Sequence, residues 1–456
     1  MKVKKKTLIS LCITLGCLLI ALPLVWFLIV RFEGEKPFIH IRLQTPAVGA
    51  SQEIPVIVSD LKSGVRAVWV GVLKDGKESV LFDKRFPSEP RDRQNKVTLN
   101  VNFDPEKLGL SDGPAILRVV ARDHSWRAWW HGNRAYLEKP VTIDTQAPGV
   151  NVLSRSHYLR QGGAGLVIYR LSEPCQTSGV IVEDNFFPGH AGYFRDDKIF
   201  LAFLGLHISQ GPKTNIYLSA TDLAGNRTDA GLAYHIRPKR FKSDTVTITD
   251  KYLKRKMPSL KIEGAQQEQI PLIEKFVLAN SGLRQDNFQE MVELGNRSTK
   301  DFHWKGAFVR LPKSARMSGF GDNRDYRYNG QVIDRQIHLG IDLASVAHSP
   351  VPAANHGNVL FAGTLGIFGN TIIIDHGLGL LSMYSHLSRT MVDEQQVVKK
   401  GEIIGRTGMT GLAGGDHLHF AIIIRNTFVD PLEWWDAAWI ENNIMAKIKE
   451  VKSEWQ

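Results

Sequence analysis

The amino-acid sequence predicts a mainly β chain: an N-terminal transmembrane helix, two β-sandwich modules, a short helical connector, an antiparallel β-sheet domain and a C-terminal helix. Three observations carry this. Thr7 to Val30 is an uncharged apolar run of 24 residues. From Pro37 to Ile236, short alternating runs recur between turn signals rich in Gly, Pro and Asp, the pattern of sandwich strands. Beyond residue 300 a Gly-rich, His-rich segment keeps strand-like alternation until Pro431, where helical periodicity begins. The expected order is a cytoplasmic terminus at 1–6, a transmembrane helix at 7–30, modules at 37–145 and 146–237, a basic connector at 238–300, the β domain at 301–432 and a helix at 433–456.

Composition bounds the rest. With 456 residues, 43% hydrophobic and 23% charged, the chain is too apolar for disorder, and three Cys are too few for a disulfide scaffold. The apolar run is longer than the roughly 7–15 residues of a cleaved signal peptide and long enough to span a bilayer. Lys2, Lys4, Lys5 and Lys6 on its short side predict a cytoplasmic N-terminus, with everything beyond Arg31 exported. Thr14 three residues before Cys17, with more apolar residues after it, argues against a lipoprotein. Cys12 and Cys17 fall inside the run and leave Cys175 alone outside. The exported part must then be stabilised by apolar cores or metal.

In the first module, Ile54 to Val58, Val65 to Val72, Val97 to Asn102 and Ala115 to Ala121 read as strands. Gly71 to Glu78 nearly matches a phosphate-binding loop, but Glu78 stands where Ser or Thr should hold magnesium, so Asp75-Gly76 is read as a hairpin turn. The second module starts near Asp144, and Ile216-Tyr-Leu-Ser-Ala-Thr-Asp222-Leu-Ala-Gly-Asn226 resembles the strand and turn that end many bacterial immunoglobulin-like repeats. Leu117 to Asp123 is a looser echo. The resemblance implies immunoglobulin-like modules. Trp126, Trp129 and Trp130 are read as a hairpin tip or intermodule contact before a sugar-stacking platform.

The net charge of +11 is concentrated at the N-terminus and in residues 237–262, where nine Lys or Arg face two Asp. Exported basic residues exclude nucleic acid as partner and leave an anionic wall polymer or lipid as an expected contact of the connector.

Histidine carries the chemistry. Eight of the fifteen fall between 303 and 419, and clustered imidazoles suggest a metal or acid–base site. Four segments order them: Ser318-Gly-Phe-Gly321 followed by His338-Leu-Gly-Ile-Asp342; Gly369 to Gly377, a buried strand closed by a turn; Met383-Tyr384-Ser385-His386-Leu387; and Gly415-Asp-His417-Leu-His419-Phe. The last, read with period 2, points His417 and His419 to one face of a rigid strand.

These motifs, with Val398 to Gly405, Thr410-Gly411 and Val429-Asp430-Pro431, make residues 315–432 resemble the M23 family of zinc metallopeptidases, the lysostaphin-like or LytM-type peptidoglycan endopeptidases. The resemblance implies one zinc ion held by His338, Asp342 and His419, with His386 and His417 as the other active-site histidines. All five are present, unlike in relatives that only activate amidases. Three N, N, O ligands leave zinc an open position, as in a catalytic site, where it would activate water and polarise the scissile carbonyl. No HExxH occurs in the chain, so an imidazole must serve as base. His417 is assigned as base and His386 as donor to the oxyanion, with exchange of the two left open. Asp375, Asp416 and Tyr384 are candidates to orient ring nitrogens. His303, His348, His356 and His376 are read as surface or turn residues, and Gly319, Gly321 and Gly340 as permitting tight backbone paths. The expectation is a zinc endopeptidase of the bacterial inner membrane, its catalytic domain in the periplasm, cutting peptidoglycan stem-peptide cross-links. The alternative is a non-catalytic wall-binding scaffold or activator of other hydrolases. In the C-terminal helix, Trp435, Ala438, Trp439, Ile444, Ile448 and Val451 form the expected apolar stripe.

Overall fold

The computed structural model describes residues 2–87, 94–262 and 270–455, without the side chains of residues 2–9, 12 and 30. The four lysines of the orientation signal and the Cys12 thiol therefore lie outside the described residues. Neither Cys17 nor Cys175 is in a disulfide among the described residues. By contact density the chain divides into two units, Met1–Pro148 with Thr221–Arg227, and Gly149–Ala220 with Thr228–Gln456.

The first unit opens with the helix Lys2–Arg31, which carries Pro23 within it. Among the described residues no helix is long and apolar enough to cross a membrane. The expected transmembrane span at 7–30, and the membrane contact through it, are corrected accordingly. The end of the helix instead meets Trp126, whose ring stands edge-on to Phe27 and Phe32, 5.4 and 5.8 Å between centroids.

Alternation does build the sandwich. A five-stranded sheet ordered Ala47–Val48, Arg134–Ile143, Gly113–Asp123, Val65–Lys74, Lys77–Arg85 faces a three-stranded one of Phe38–Ile41, Gln52–Ser59 and Lys96–Phe103. Every second residue of Gly113–Asp123 is buried, and the two sheets enclose one core including Ile54, Val56, Val70 and Leu117. Asp75 and Gly76, both at positive φ, close the predicted hairpin in register Lys74↔Lys77, as a two-residue primed turn requires. Trp129 and Trp130 stand exposed on the connection between two paired strands.

The echo between Asp123 and Asp222 is a repeated clasp. Asp123 Oδ1 accepts the Asn133 N–H at 2.7 Å and Oδ2 its amide at 2.8 Å, and that amide also donates to the Glu35 carbonyl at 2.9 Å. Asp222 likewise accepts from Asn226 N–H and amide at 2.9 and 2.8 Å, while the amide reaches the Asp144 carbonyl at 2.8 Å.

In the second unit, strands Ala164–Leu171 and Ile199–Gly205 pair antiparallel and share one apolar core with the β domain rather than hanging from it as a separate bead. Phe203 packs against Trp304 and Trp434, and a Cβ on Gly205 would come within 2.9 Å of Val429. The main sheet runs Ala315–Ser318, Ile341–Ala344, Leu418–Ile424, Leu380–Leu387, Gly369–Asp375, Gly357–Leu365, Val397–Val398, antiparallel throughout, with Thr427–Val429 beside Leu418–Ile424.

Residues 238–262 and 270–300 pack on the β domain through their apolar side chains. Ser243–Thr247 adds a parallel strand to Asp322–Tyr328, and helices Asp250–Lys256, Leu272–Leu278 and Arg284–Asn296 follow. Phe276, Met257 and Leu253 are buried against Tyr326, each fully buried side chain contributing about 1.5–3 kcal/mol to docking. Three of the segment's cations bond inward: Lys239 pairs with Asp430 at 2.6 Å, Arg255 donates to the Gly414 carbonyl at 2.9 Å, and Lys256 reaches the Met409 carbonyl, while Arg240, Lys242, Lys251, Lys254 and Lys261 are exposed. The wall or lipid contact expected of this segment finds no support here. The C-terminal stripe is also broken, because the Asp436 carboxylate caps a new helix start by accepting from Ala438 and Trp439 N–H. Trp434, rather than Trp435, is its fully buried ring.

Candidate metal centre

Register alone brings three side chains together. Asp342 on Ile341–Ala344 lies directly opposite His419 on Leu418–Ile424, and His338 ends the preceding strand Gln331–His338. His338 Nε2, Asp342 Oδ1 and His419 Nδ1 stand 3.0 Å from one another on all three edges, and all three side chains are buried. Gly340 permits this, since a Cβ there would lie 2.6 Å from His419 Nε2.

Hydrogen bonds decide which atoms face inward. His338 Nδ1–H donates to the Gly319 carbonyl at 2.9 Å, which leaves its Nε2 lone pair on the centre. Arg324 Nη2 donates to Asp342 Oδ2 at 2.7 Å, so Oδ1 is the free carboxylate oxygen. An acceptor nitrogen and an acceptor oxygen thus meet at 3.0 Å, an arrangement a cation relieves. His419 Nε2 is buried with no partner among the described residues. Burial by itself would raise the Asp342 pKa, but the surrounding His338, His417 and His419 hold it well below the carboxylate range, while burial pushes His419 down to about 4. Both directions keep ligand forms deprotonated.

Two more imidazoles border the triad. His417 Nδ1–H donates to the Gly415 carbonyl and His386 Nδ1–H to the Thr410 carbonyl, at 2.9 and 3.0 Å. Each therefore turns an Nε2 lone pair towards the site. His417 Nε2 is 3.6 Å from Asp342 Oδ1, and the His386 and His417 rings are 4.9 Å apart. His386 adopts φ 61°, a left-handed conformation that non-Gly residues hold only where surroundings impose it. Burial opposes charge on His417, but the Asp342 carboxylate outweighs it and raises the pKa; burial and the neighbouring rings push His386 far down. With Nδ1–H committed to the Thr410 carbonyl, a neutral His386 presents Nε2 to the site as an acceptor.

The candidates for orienting rings lie elsewhere. Asp375 accepts from Ser298 Oγ–H, Thr299 N–H and Gly377 N–H at 2.6–2.8 Å. Tyr384 OH meets Ala354 N–H and Ser382 in the core, and Asp416 accepts from His348 N–H at 3.2 Å. None touches a site imidazole. Backbone carbonyls of Gly319, Thr410 and Gly415 orient the rings instead, and sequence carries no signal for a carbonyl's aim. Of the other histidines, His303 bonds Thr299 Oγ1, His348 is exposed, and His356 Nδ1 accepts from Lys400 N–H. His376 closes its turn but is fully buried, not at the surface.

Arg324 was missed by sequence reading, as was the cavity beside the triad. This cavity, about 270 Å³, is lined by His338, Asp342, His386, His417 and His419 on one side and by Val246, Tyr252, Phe276, Asn280 and Arg284 on the other. Tyr252 OH–Leu412 O at 2.8 Å ties the two sides. Arg284 donates to Asn280 Oδ1 and O at 2.7 and 2.9 Å and makes no ion pair among the described residues.

Residues 336–431 match Peptidase family M23. That match takes in the five site side chains His338, Asp342, His386, His417 and His419. Over 131 residues it is 34% identical to the peptidoglycan DD-endopeptidase ShyB of Vibrio cholerae, covering 28% of this chain and 30% of that protein. Over 107 residues it is 36% identical to the DD-carboxypeptidase/endopeptidase Mpg of Neisseria meningitidis, covering 24% and 25%. The chain thus spans less than a third of the length of these relatives. The crystallised catalytic domain of lysostaphin from Staphylococcus simulans aligns at 29% identity and a TM-score of 0.25, over 29% of this chain and 98% of that one.

Proposed function

We propose that the M23 domain is a zinc endopeptidase that hydrolyses peptide cross-links of bacterial peptidoglycan, acting outside the cytoplasm where that polymer lies. The observation that carries this is the 3.0 Å triangle of His338 Nε2, Asp342 Oδ1 and His419 Nδ1 beside two imidazoles with inward Nε2 atoms. Tetrahedral zinc with bonds near 2.0–2.1 Å sets ligand atoms about 3.3 Å apart, and three N, N, O ligands leave one position open. Similarity to proteins named as DD-endopeptidases supports the substrate class.

Zinc, when bound, supplies Lewis-acid polarisation of the scissile carbonyl and a water of lowered pKa. His417 Nε2 takes the proton of the attacking water, and the Asp342 carboxylate beside it stabilises the resulting charge. The same nitrogen returns that proton to the leaving amine. His386 Nε2 accepts the second water hydrogen and fixes its direction of attack. Arg324 holds Asp342 in a one-oxygen geometry. The two β-sandwich modules, read as immunoglobulin-like, are spacers in this reading.

The test is incubation of the purified chain, loaded with zinc, with cross-linked muropeptide dimers, products resolved by mass. Cleavage at a D-alanyl cross-link in wild type, lost in His338→Ala and His417→Ala, is expected. Cleavage undiminished in both variants removes the site assignment. The wall that Val246, Tyr252, Phe276, Asn280 and Arg284 form across the cavity favours a second reading, an enzyme held latent until that wall moves. Arg255→Gln with Tyr252→Phe, which unties it from the site side, then raises activity above wild type.

A further inference from the structure

A second cleft opens at the other end of two catalytic strands. Leu380–Leu387 ends at His386, and Leu418–Ile424 begins near His417; at 3.3–3.4 Å per residue, the turns at 378–379 and 424–425 are on the order of 20 Å from the metal centre. There the sheet, the segment at 295–300 and the strands Cys175–Val182 and Asn185–Pro188 enclose about 350 Å³. Its floor includes Phe186, Phe203 and Leu378, and its basic groups are His190, Lys300 and Arg425. No Asp or Glu lines it.

Lys300 and Arg425 form no ion pair and no side-chain hydrogen bond among the described residues, although Arg425 is half-buried. His190, Lys300 and Arg425 all line this one cleft; burial, then the charges of Lys300 and Arg425, push the His190 pKa down to about 4. Like charges gathered in a partly desolvated cleft repel and are relieved by an anion. The volume is at the lower end of small-ligand sites, which excludes a folded partner, and aromatic floor beside cations suits an organic body carrying acid groups. A planar guanidinium with an ammonium beside it matches a carboxylate.

We propose that this cleft binds a carboxylate-bearing peptide end, placing a second, uncleaved stem peptide on the catalytic domain away from the metal centre. The carboxylate preference stands on the cleft alone; the stem-peptide source rests on the proposed function. A free small anion shares this chemistry and is separated by the test.

The test is calorimetric titration of the full chain in a His417→Ala background, so that nothing is cleaved, with an uncross-linked disaccharide tetrapeptide, with the same compound amidated at its carboxyl groups, and with inorganic phosphate. Tetrapeptide binding weakened at least tenfold by Lys300→Gln/Arg425→Gln and by amidation is expected. Lys300→Gln alone, at an exposed position, gives an intermediate loss and guards against misfolding of the double variant. Equal binding by the double variant and its parent overturns the proposal, as does displacement of tetrapeptide by phosphate at equal concentration. If wild type cleaves no cross-link but tetrapeptide binding still depends on these cations, the cleft stands and the proposed function falls.

Discussion

Two clusters of imidazole and acid sit in the same eight-stranded sheet and differ in what is left over. Around the turn after Gly369–Asp375, every polar atom has a counterpart: His376 meets the His356 carbonyl and Ser382 Oγ, both at 2.7 Å, and Asp375 fills its lone pairs with three donors. Around Asp342, four side chains, His338, Asp342, His386 and His417, are pinned from behind, and their inward lone pairs face each other and His419. Both clusters are buried, and burial holds His376 at about 4 just as it does His419. A buried, shifted histidine is therefore no mark of a site. The mark is an acceptor surplus that only a cation and a substrate can complete.

The sharpest way to break this comparison is to truncate one imidazole in each cluster. His417→Ala is expected to lower the cleavage rate by roughly 10²–10⁴, the range for losing a general base, with the melting temperature nearly unchanged. His376→Ala is expected to do the reverse. It orphans Ser382 and leaves a cavity, at about 2–4 kcal/mol of stability, while turnover per folded molecule survives. Calorimetry and muropeptide kinetics on both variants read the split; loss of turnover in folded His376→Ala would erase the distinction.

A smaller effect is expected one step back from the centre. Arg324→Gln frees Asp342 Oδ2 to turn, and metal affinity should fall by roughly 10–100-fold, as for other groups that orient ligands. Competition with a chromogenic zinc chelator measures it. Unchanged affinity would mean that Arg324 serves the strand and not the carboxylate. Chelation of the wild type should also lower its melting temperature, by mass action on the bound metal, while His338→Ala shows no such response.

The difference between the clusters was half legible in the sequence. The candidate ligands His338, Asp342 and His419 came from the family resemblance of the segments that hold them, while spacing by itself gave only the period-2 placement of His417 and His419 on one face. Asp375 could not be excluded, since an acid beside a histidine looks the same whether its partners are Ser298 and Thr299, far off in sequence, or a metal ligand. Nor could the basic connector be read, because Lys239, Arg255 and Lys256 find carbonyls and an acid more than 150 positions away. The Asp222 clasp was visible as a motif because Asn226 lies four residues on. Its twin at Asp123 was only an echo, with Asn133 displaced by the Trp129–Trp130 excursion.

The smallest effect tests whether the connector belongs to the site or merely roofs it. Arg284 lines the cavity, its Nη2 and Nε bound to Asn280 and its charge unmatched by any carboxylate within ion-pair distance. Burial lowers its pKa, which shows a charge partly stripped of water. A stem peptide carries free carboxylates, and one that reached this guanidinium would gain a charge-assisted bond of about 1.5–3 kcal/mol, less what solvent already returned. Arg284→Gln keeps the Asn280 contact in part and removes the charge. The expected outcome is a KM raised by roughly three- to tenfold on dimers, with kcat held and no change on a substrate amidated at its carboxyl groups. A kcat loss instead, shared by both substrates, would assign Arg284 to packing of the roof. Only the KM change makes these helices part of substrate recognition, and so extends the acceptor surplus of the metal centre to a donor surplus on the wall facing it.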